Sequence, residues 1–198
     1  MTIKTLARRN LAERKLVLGA ARSGKTNHAI LLAQSLSSKL SGERAGGVTY
    51  VATAQALDPE MAKRIQLHRA ERPESWITLE APRDLAQALR SIASDRIILV
   101  DCLTLWLSNA LLADFDESNP MRPLPTWDRE RSSFLQWLAD FSGNVLLVSN
   151  EVGAGIVPMS SLARRFQDEQ GRINQAVAAI CESVTLVVAG IPVRIKGS

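Results

Sequence analysis

The segment Gly19-Ala20-Ala21-Arg22-Ser23-Gly24-Lys25-Thr26 fits the pattern G-x-x-x-x-G-K-S/T, and each fixed position has a chemical task. The glycines let the backbone bend so that successive N–H groups converge on phosphate oxygens at the positive end of a following helix. Lys25 brings a mobile cation to the β and γ phosphates, and Thr26 offers a hydroxyl to Mg²⁺. An ordinary glycine turn with an exposed lysine is the bland alternative. Chance alone produces such a match in on the order of one chain in a hundred of this size. The loop also needs a metal-orienting carboxylate at the end of a neighbouring strand. Asp101 closes the run Ile97-Ile98-Leu99-Val100 and is the candidate, a helix-capping aspartate being the alternative. Glu80, just past Trp76-Ile77-Thr78-Leu79, could reach the same place.

There are two histidines. His28 sits three residues past Lys25 and reads as a partly buried helix position. His68 is different, because Arg64, His68 and Arg72 fall at i, i+4 and i+8, which places them on one face of a helix. Adjacent guanidiniums disfavour an imidazolium, and a neutral imidazole can act as nucleophile or base. The same arginines could hold the phosphates of a nucleotide brought to it. Spacing alone favours a solvated basic helix face with an idle histidine.

Positioning these groups requires strands that alternate with helices. Leu16-Val17-Leu18 precedes the glycine loop, and Lys25 to about Leu40 reads as a helix. Gly46-Gly47 turns into the β-branched, aromatic run Val48–Ala52. Asp58 as N-cap and Pro59 at the first helical position open a helix to about Arg72, with Met61 and Ile65 toward the core. A short strand over Trp76–Leu79 and a helix from Asp84 to about Ser94 follow. Arg96–Asp101 then reads as a strand buried on both faces, with a helix after it through Leu112. Residues 113–125, with Pro120, Pro123 and Pro125, are long for a connection and so either functional or mobile. A helix from Trp127 to about Ser142, a strand over Asn144–Ser149, a helix from Ser161 to about Cys181 and a last apolar run at Val184–Val188 complete the pattern. The expectation is one α/β domain of P-loop NTPase type over residues 16–198, a mainly parallel sheet with helices on both faces.

Composition narrows the function. The 198 residues are 46% apolar and 22% charged, ordinary for a globular protein. The formal charge of +4 invites a nucleic-acid reading. Yet residues 1–15 hold five basic side chains and one acidic, and the remainder holds 19 of each sign. The excess is a basic N-terminal arm, read as a solvated helix with Leu6 and Leu11 lightly docked. Aromatics at 5% leave few stacking platforms for single strands, so no nucleic-acid partner is expected. No apolar run is long enough for a membrane span or a signal segment. Cys102 and Cys181 read as isolated buried thiols of a cytoplasmic protein.

The glycine loop resembles the opening of the bifunctional adenosylcobinamide kinase/adenosylcobinamide-phosphate guanylyltransferase family. Later segments extend the match: Tyr50-Val-Ala-Thr-Ala54, Asp58-Pro-Glu-Met-Ala-Lys-Arg-Ile65, His68-Arg-Ala-Glu-Arg-Pro73, Val100-Asp-Cys-Leu-Thr-Leu-Trp-Leu-Ser-Asn109 and Ser149-Asn-Glu-Val-Gly-Ala-Gly-Ile-Val-Pro158. The resemblance runs from about Leu16 to Lys196. It implies phosphorylation of adenosylcobinamide by ATP or GTP, then transfer of GMP from GTP through a GMP–histidine, here His68. It implies nucleotide contacts at Gly19 through Thr26, at Ala52, Thr53 and Ala54, at Arg69, Ala70, Glu71 and Arg72, and at Glu80 and Asp101. A homotrimer with its site near a subunit boundary follows from the same resemblance, while Mg²⁺ at Thr26 and Asp101 follows from the loop pattern. Ala54 stands where relatives often have serine, and Asp101 where some have glutamate. Asn150-Glu151-Val152-Gly153 and Arg164 match strong family positions, with corrinoid binding and trimer packing as open alternatives.

Overall fold

The computed structural model describes residues 13–40 and 47–197. Seven strands, β1 (Arg14–Gly19), β2 (Val48–Ala52), β3 (Ile77–Glu80), β4 (Ile97–Asp101), β5 (Val145–Asn150), β6 (Ser183–Val188) and β7 (Ile191–Lys196), form one sheet. Their spatial order is β3-β2-β4-β5-β1-β6-β7. The first six pair in parallel and β7 returns antiparallel to β6. Among the described residues six helices connect them: α1 (Lys25–Lys39), α2 (Pro59–Ala70), α3 (Leu85–Arg90), α4 (Leu103–Asp114), α5 (Pro125–Asp140) and α6 (Ser161–Ile180). Parallel pairing places the ends of β1 to β5 along one edge, where Gly19, Ala52, Glu80, Asp101 and Asn150 all lie.

The sheet is covered on both faces, as a mainly parallel sheet must be. On one face Leu16, Leu18, Ile98, Val100, Val145 and Leu147 meet Leu85, Trp106, Phe134 and Ile173 from α3 to α6. On the other, Val17, Tyr50, Leu99, Leu146 and Val148 pack under Ala29, Ile30 and Ala33 of α1. Two carboxylates are buried in the larger layer, each with its charge answered. Glu130 accepts from Arg83 Nε at 2.8 Å, the Asp84 N–H at 3.0 Å and Trp106 Nε1 at 2.6 Å. Glu169 accepts from Trp127 Nε1 at 2.9 Å, Arg131 at 3.1 Å and Arg172 at 2.5 Å.

The alternation read from the sequence is present, with four differences. First, β1 starts at Arg14, so Arg14 and Lys15 belong to the sheet. They pair with Glu182 at 2.6 Å and Glu13 at 2.5 Å; the rest of the basic arm lies outside the described residues. Second, α2 stops at Ala70, because Pro73 disfavours helical backbone at Arg72. Met61 and Ile65 are only half-buried, and no residue of α2 is buried. Third, α3 spans only six residues and starts after Asp84, which has φ of 49°. Fourth, β7 forms through the turn Ala189-Gly190, with φ of 52° and 80°, the positive pair that a two-residue hairpin requires. The proline-containing connection is tied at its end: Asp114 accepts from the Thr126 N–H at 2.6 Å and hydroxyl at 2.8 Å, capping α5. Among the described residues no helix is long and apolar enough to cross a membrane.

Candidate active site

The glycine loop expected to hold phosphates is built where β1 ends. Arg22 and Gly24 adopt φ of 58° and 91°, turning the chain into α1 at Lys25. A Cβ at Gly19 would lie 2.3 Å from Ser23 Oγ and 2.7 Å from the Val187 carbonyl, so only glycine fits. The β6–β7 turn supports the loop from behind, the Gly190 N–H donating to the Ser23 carbonyl at 2.8 Å. Ser23 Oγ is buried and has no hydrogen-bond partner among the described residues. Lys25 folds back over the loop, its Nζ donating to the Ala20 carbonyl at 3.2 Å. Ala20, Ala21 and Arg22 are exposed, and Thr26 is half-buried in the first turn of α1. His28, half-buried on α1, has its pKa lowered by burial.

Asp101 ends β4 beside Ala52, whose other neighbour in register is the exposed Glu80. Asp101 does not cap α4, whose N-cap is Cys102. Its Oδ2 accepts instead from the Tyr50 hydroxyl. Burial, then the Asp101 charge, pushes the Tyr50 pKa far up, so this hydroxyl keeps its proton and donates it. Thr53 is fully buried and its hydroxyl is already engaged, accepting from the Cys102 N–H and donating to the Cys102 carbonyl, both at 2.7 Å. Asn109 Nδ2 donates to the Thr53 carbonyl at 2.9 Å and the Pro82 carbonyl at 3.0 Å, joining the loops after β2 and β3. The Cys102 thiol is pushed up to about 12, chiefly by burial and then by Asp101, which makes it a packed side chain rather than a nucleophile. Cys181 is likewise buried and pushed up to about 12.

His68 lies in the last turn of α2. The Asp58 carboxylate caps the start of that helix, accepting from the Met61 N–H at 2.7 Å, with Pro59 in the first turn. The arginine stripe expected from spacing does not form. Arg64 pairs with Glu60 at 2.7 Å, while the His68 imidazole, nearly half exposed, has Nδ1 3.6 Å from Glu71. Arg72 leaves that face altogether. Its guanidinium carbon sits 3.3 Å from the centroid of the Tyr50 ring, and its NH1 reaches Thr78 Oγ1 at 3.5 Å. Arg69 and Ala70 are exposed beside His68, and Ala54 is half-buried in the loop after β2.

Three features escape sequence reading because they join distant residues. One is the Tyr50–Asp101 pair. Another is Asn109, whose position between two loops no local pattern announces. The third is a polar cluster behind the end of β5. There Ser149 donates to Asn174 Oδ1 at 2.7 Å, Gln170 reaches both, and Asn174 Nδ2 donates to the Asn150 carbonyl at 2.9 Å. Asn150 is further held by its N–H, which donates to Thr104 Oγ1 at 2.7 Å. Arg164 donates to the Pro158 and Met159 carbonyls at 2.8 and 2.7 Å, bracing the loop that follows Asn150.

The family model "Cobinamide kinase / cobinamide phosphate guanyltransferase" matches residues 15–195. A bifunctional adenosylcobalamin biosynthesis protein CobP of Pseudomonas aeruginosa is 49% identical over 185 residues, 93% of this chain and 98% of the relative. Proteins named bifunctional adenosylcobalamin biosynthesis protein CobU from Escherichia coli K12 and Salmonella typhimurium are 41% and 42% identical, each over 91% of this chain and 98% of the relative. With the glycine loop, the histidine helix and the strand-end carboxylate in that order along a match of this length, the chain belongs to the cobinamide kinase/cobinamide phosphate guanyltransferase family.

Proposed function

We propose that this chain carries out both reactions of its family in sequence. It phosphorylates the aminopropanol hydroxyl of adenosylcobinamide from ATP or GTP. It then takes GMP from GTP onto His68 and passes it to adenosylcobinamide phosphate, giving adenosylcobinamide-GDP and pyrophosphate. The observation that carries this reading is the pairing of a preformed phosphate cradle with an exposed histidine on a separate helix.

In the first reaction the amides of Gly19 through Thr26 hold the phosphates, and Lys25 leaves the Ala20 carbonyl to follow the charge that develops on the transferring group. The Thr26 hydroxyl and the Asp101 carboxylate are hard oxygen donors, the class that Mg²⁺ takes. Two of them leave room for phosphate and water. Among the described residues no group of three or more acidic, histidine or cysteine side chains gathers for a metal, which suits an ion that arrives with the nucleotide. When bound, Mg²⁺ neutralises charge on the β and γ phosphates.

In the second reaction a neutral His68 imidazole attacks the α phosphorus of GTP. A P–N bond forms, the bond to the bridging oxygen breaks, and pyrophosphate leaves with the electron pair. The substrate phosphate then displaces the histidine. Ala52, Thr53, Ala54, Arg69, Ala70, Glu71, Arg72 and Glu80 complete the nucleotide surroundings in this reading, Thr53 through its backbone since its hydroxyl is committed to Cys102. The exposed Leu57, just before α2, and Leu67, within it, support a homotrimer in which a second copy covers this helix, and the biosynthetic role supports a cytoplasmic site of action.

A crossed pair of variants tests the scheme. His68→Ala should abolish labelling by α-³²P GTP while γ-phosphoryl transfer to adenosylcobinamide survives; Lys25→Ala should lose phosphoryl transfer. Label retained on His68→Ala would overturn the assignment.

A further inference from the structure

Tyr50 pairs in register with Leu99 on β4, two residues before Asp101. Side chains alternate along a strand, so Tyr50, Leu99 and Asp101 share the sheet face that α1 covers. The ring is 1% exposed, and its hydroxyl reaches the edge of the sheet at Asp101 Oδ2. Neither partner has a cheap alternative: a buried hydroxyl without an acceptor is costly, and a carboxylate at a strand end otherwise rotates freely. The opposite demand, that the ring itself stay fixed, is met by Arg72, whose guanidinium lies 3.3 Å over its centroid and is steadied by Thr78. Arg72 stands four residues beyond His68. One aromatic side chain thus touches the carboxylate of the phosphoryl-transfer reading and the segment that carries the histidine.

We propose that Tyr50 is a positioning residue for phosphoryl transfer: its hydroxyl fixes one oxygen of Asp101 so that the other is presented to the metal–nucleotide complex, while Arg72 clamps its ring. This rests on the reading of Asp101 as the metal-side carboxylate. Tyr50 acts through Asp101 and does not itself touch the substrate. Ion binding at the carboxylate therefore changes the electron density that the hydroxyl donates into, and the tyrosine becomes a reporter of the site.

Tyr50 is the only tyrosine in the chain, so uniform labelling with [¹³Cζ]tyrosine gives one resonance. The intact protein saturated with AMP-PNP is titrated with Mg²⁺, and Mn²⁺ affinity is measured in parallel by EPR for wild type, Tyr50→Phe and Asp101→Asn. The proposal expects the wild-type resonance to move with Mg²⁺ and to stay still in Asp101→Asn. It expects Tyr50→Phe to weaken Mn²⁺ binding roughly three- to tenfold, the worth of one hydrogen bond of typical net strength. If Asp101→Asn weakens Mn²⁺ binding but the tyrosine resonance ignores Mg²⁺, Tyr50 has no positioning role and only the Asp101 reading stands. If Asp101→Asn binds Mn²⁺ as tightly as wild type, the Asp101 reading fails and takes this proposal with it. The wild-type titration decides the matter even if Tyr50→Phe does not fold.

Discussion

The phosphate cradle and the histidine helix are held in opposite ways. The cradle follows the fully buried Leu16 and Val17 of an interior strand, is backed by the β6–β7 turn, and leaves no room for a Cβ at Gly19. Helix α2 buries none of its twelve residues; its N-terminal cap and the stacking of Arg72 on Tyr50 just beyond its end are what anchor it. The contrast matches the chemistry proposed for each. A site that stabilises charge in a transition state works by being preorganised, with no reorganisation left to do when the charge appears. A nucleophile that must receive GMP from one substrate and release it to another cannot be locked against one of them.

The sharpest way to separate the two regions is through activity. Lys25→Ala should lower phosphoryl transfer by about 10²–10³-fold, the usual cost of removing one preorganised electrostatic group, with the fold intact by circular dichroism. A loss of less than tenfold would mean that the cradle does not work through this cation. Stability should divide the molecule next. Glu130→Ala leaves the indole N–H of fully buried Trp106 and the Asp84 N–H without their acceptor, and urea unfolding should report a loss of about 2–4 kcal/mol.

On the histidine side the same measurement should barely move. Asp58→Ala removes the cap of α2, worth about 1 kcal/mol, and should raise hydrogen exchange of the α2 amides roughly fivefold. The urea midpoint should stay put, because the helix contributes no buried residue to the core. A matching drop in the midpoint would show that α2 belongs to the cooperative unit after all. The smallest effect concerns pH. In the native protein Tyr50 ionises well above the ordinary tyrosine value of about 10, whereas in the unfolded chain it ionises near that value. The unfolded state thus binds fewer protons above pH 10, and stability should fall there as pH rises, more steeply in wild type than in Tyr50→Phe.

Much of this arrangement was legible in the sequence because it is local. Eight consecutive residues make the cradle, and an aspartate followed by a proline announces the start of α2. Strand β7 lies outside what the pattern predicts even though Ile191, Val193 and Ile195 alternate after Ala189-Gly190: all six of its residues are exposed, and an edge strand carries no run of buried residues to mark it. The arginine stripe failed for a reason the sequence does hold, since Pro73 removes Arg72 from the helix and its charge goes to Tyr50 instead. The Tyr50–Asp101 pair was beyond reach, because it joins residues 51 positions apart through a register that only the folded sheet sets.

The central claim is that His68 carries GMP between two substrates. Incubation with GTP followed by intact mass measurement tests it in one step, without the corrinoid. Wild type should gain the mass of one GMP and His68→Ala none. An adduct on His68→Ala, or an unmodified wild type under conditions where guanylyl transfer proceeds, would contradict it.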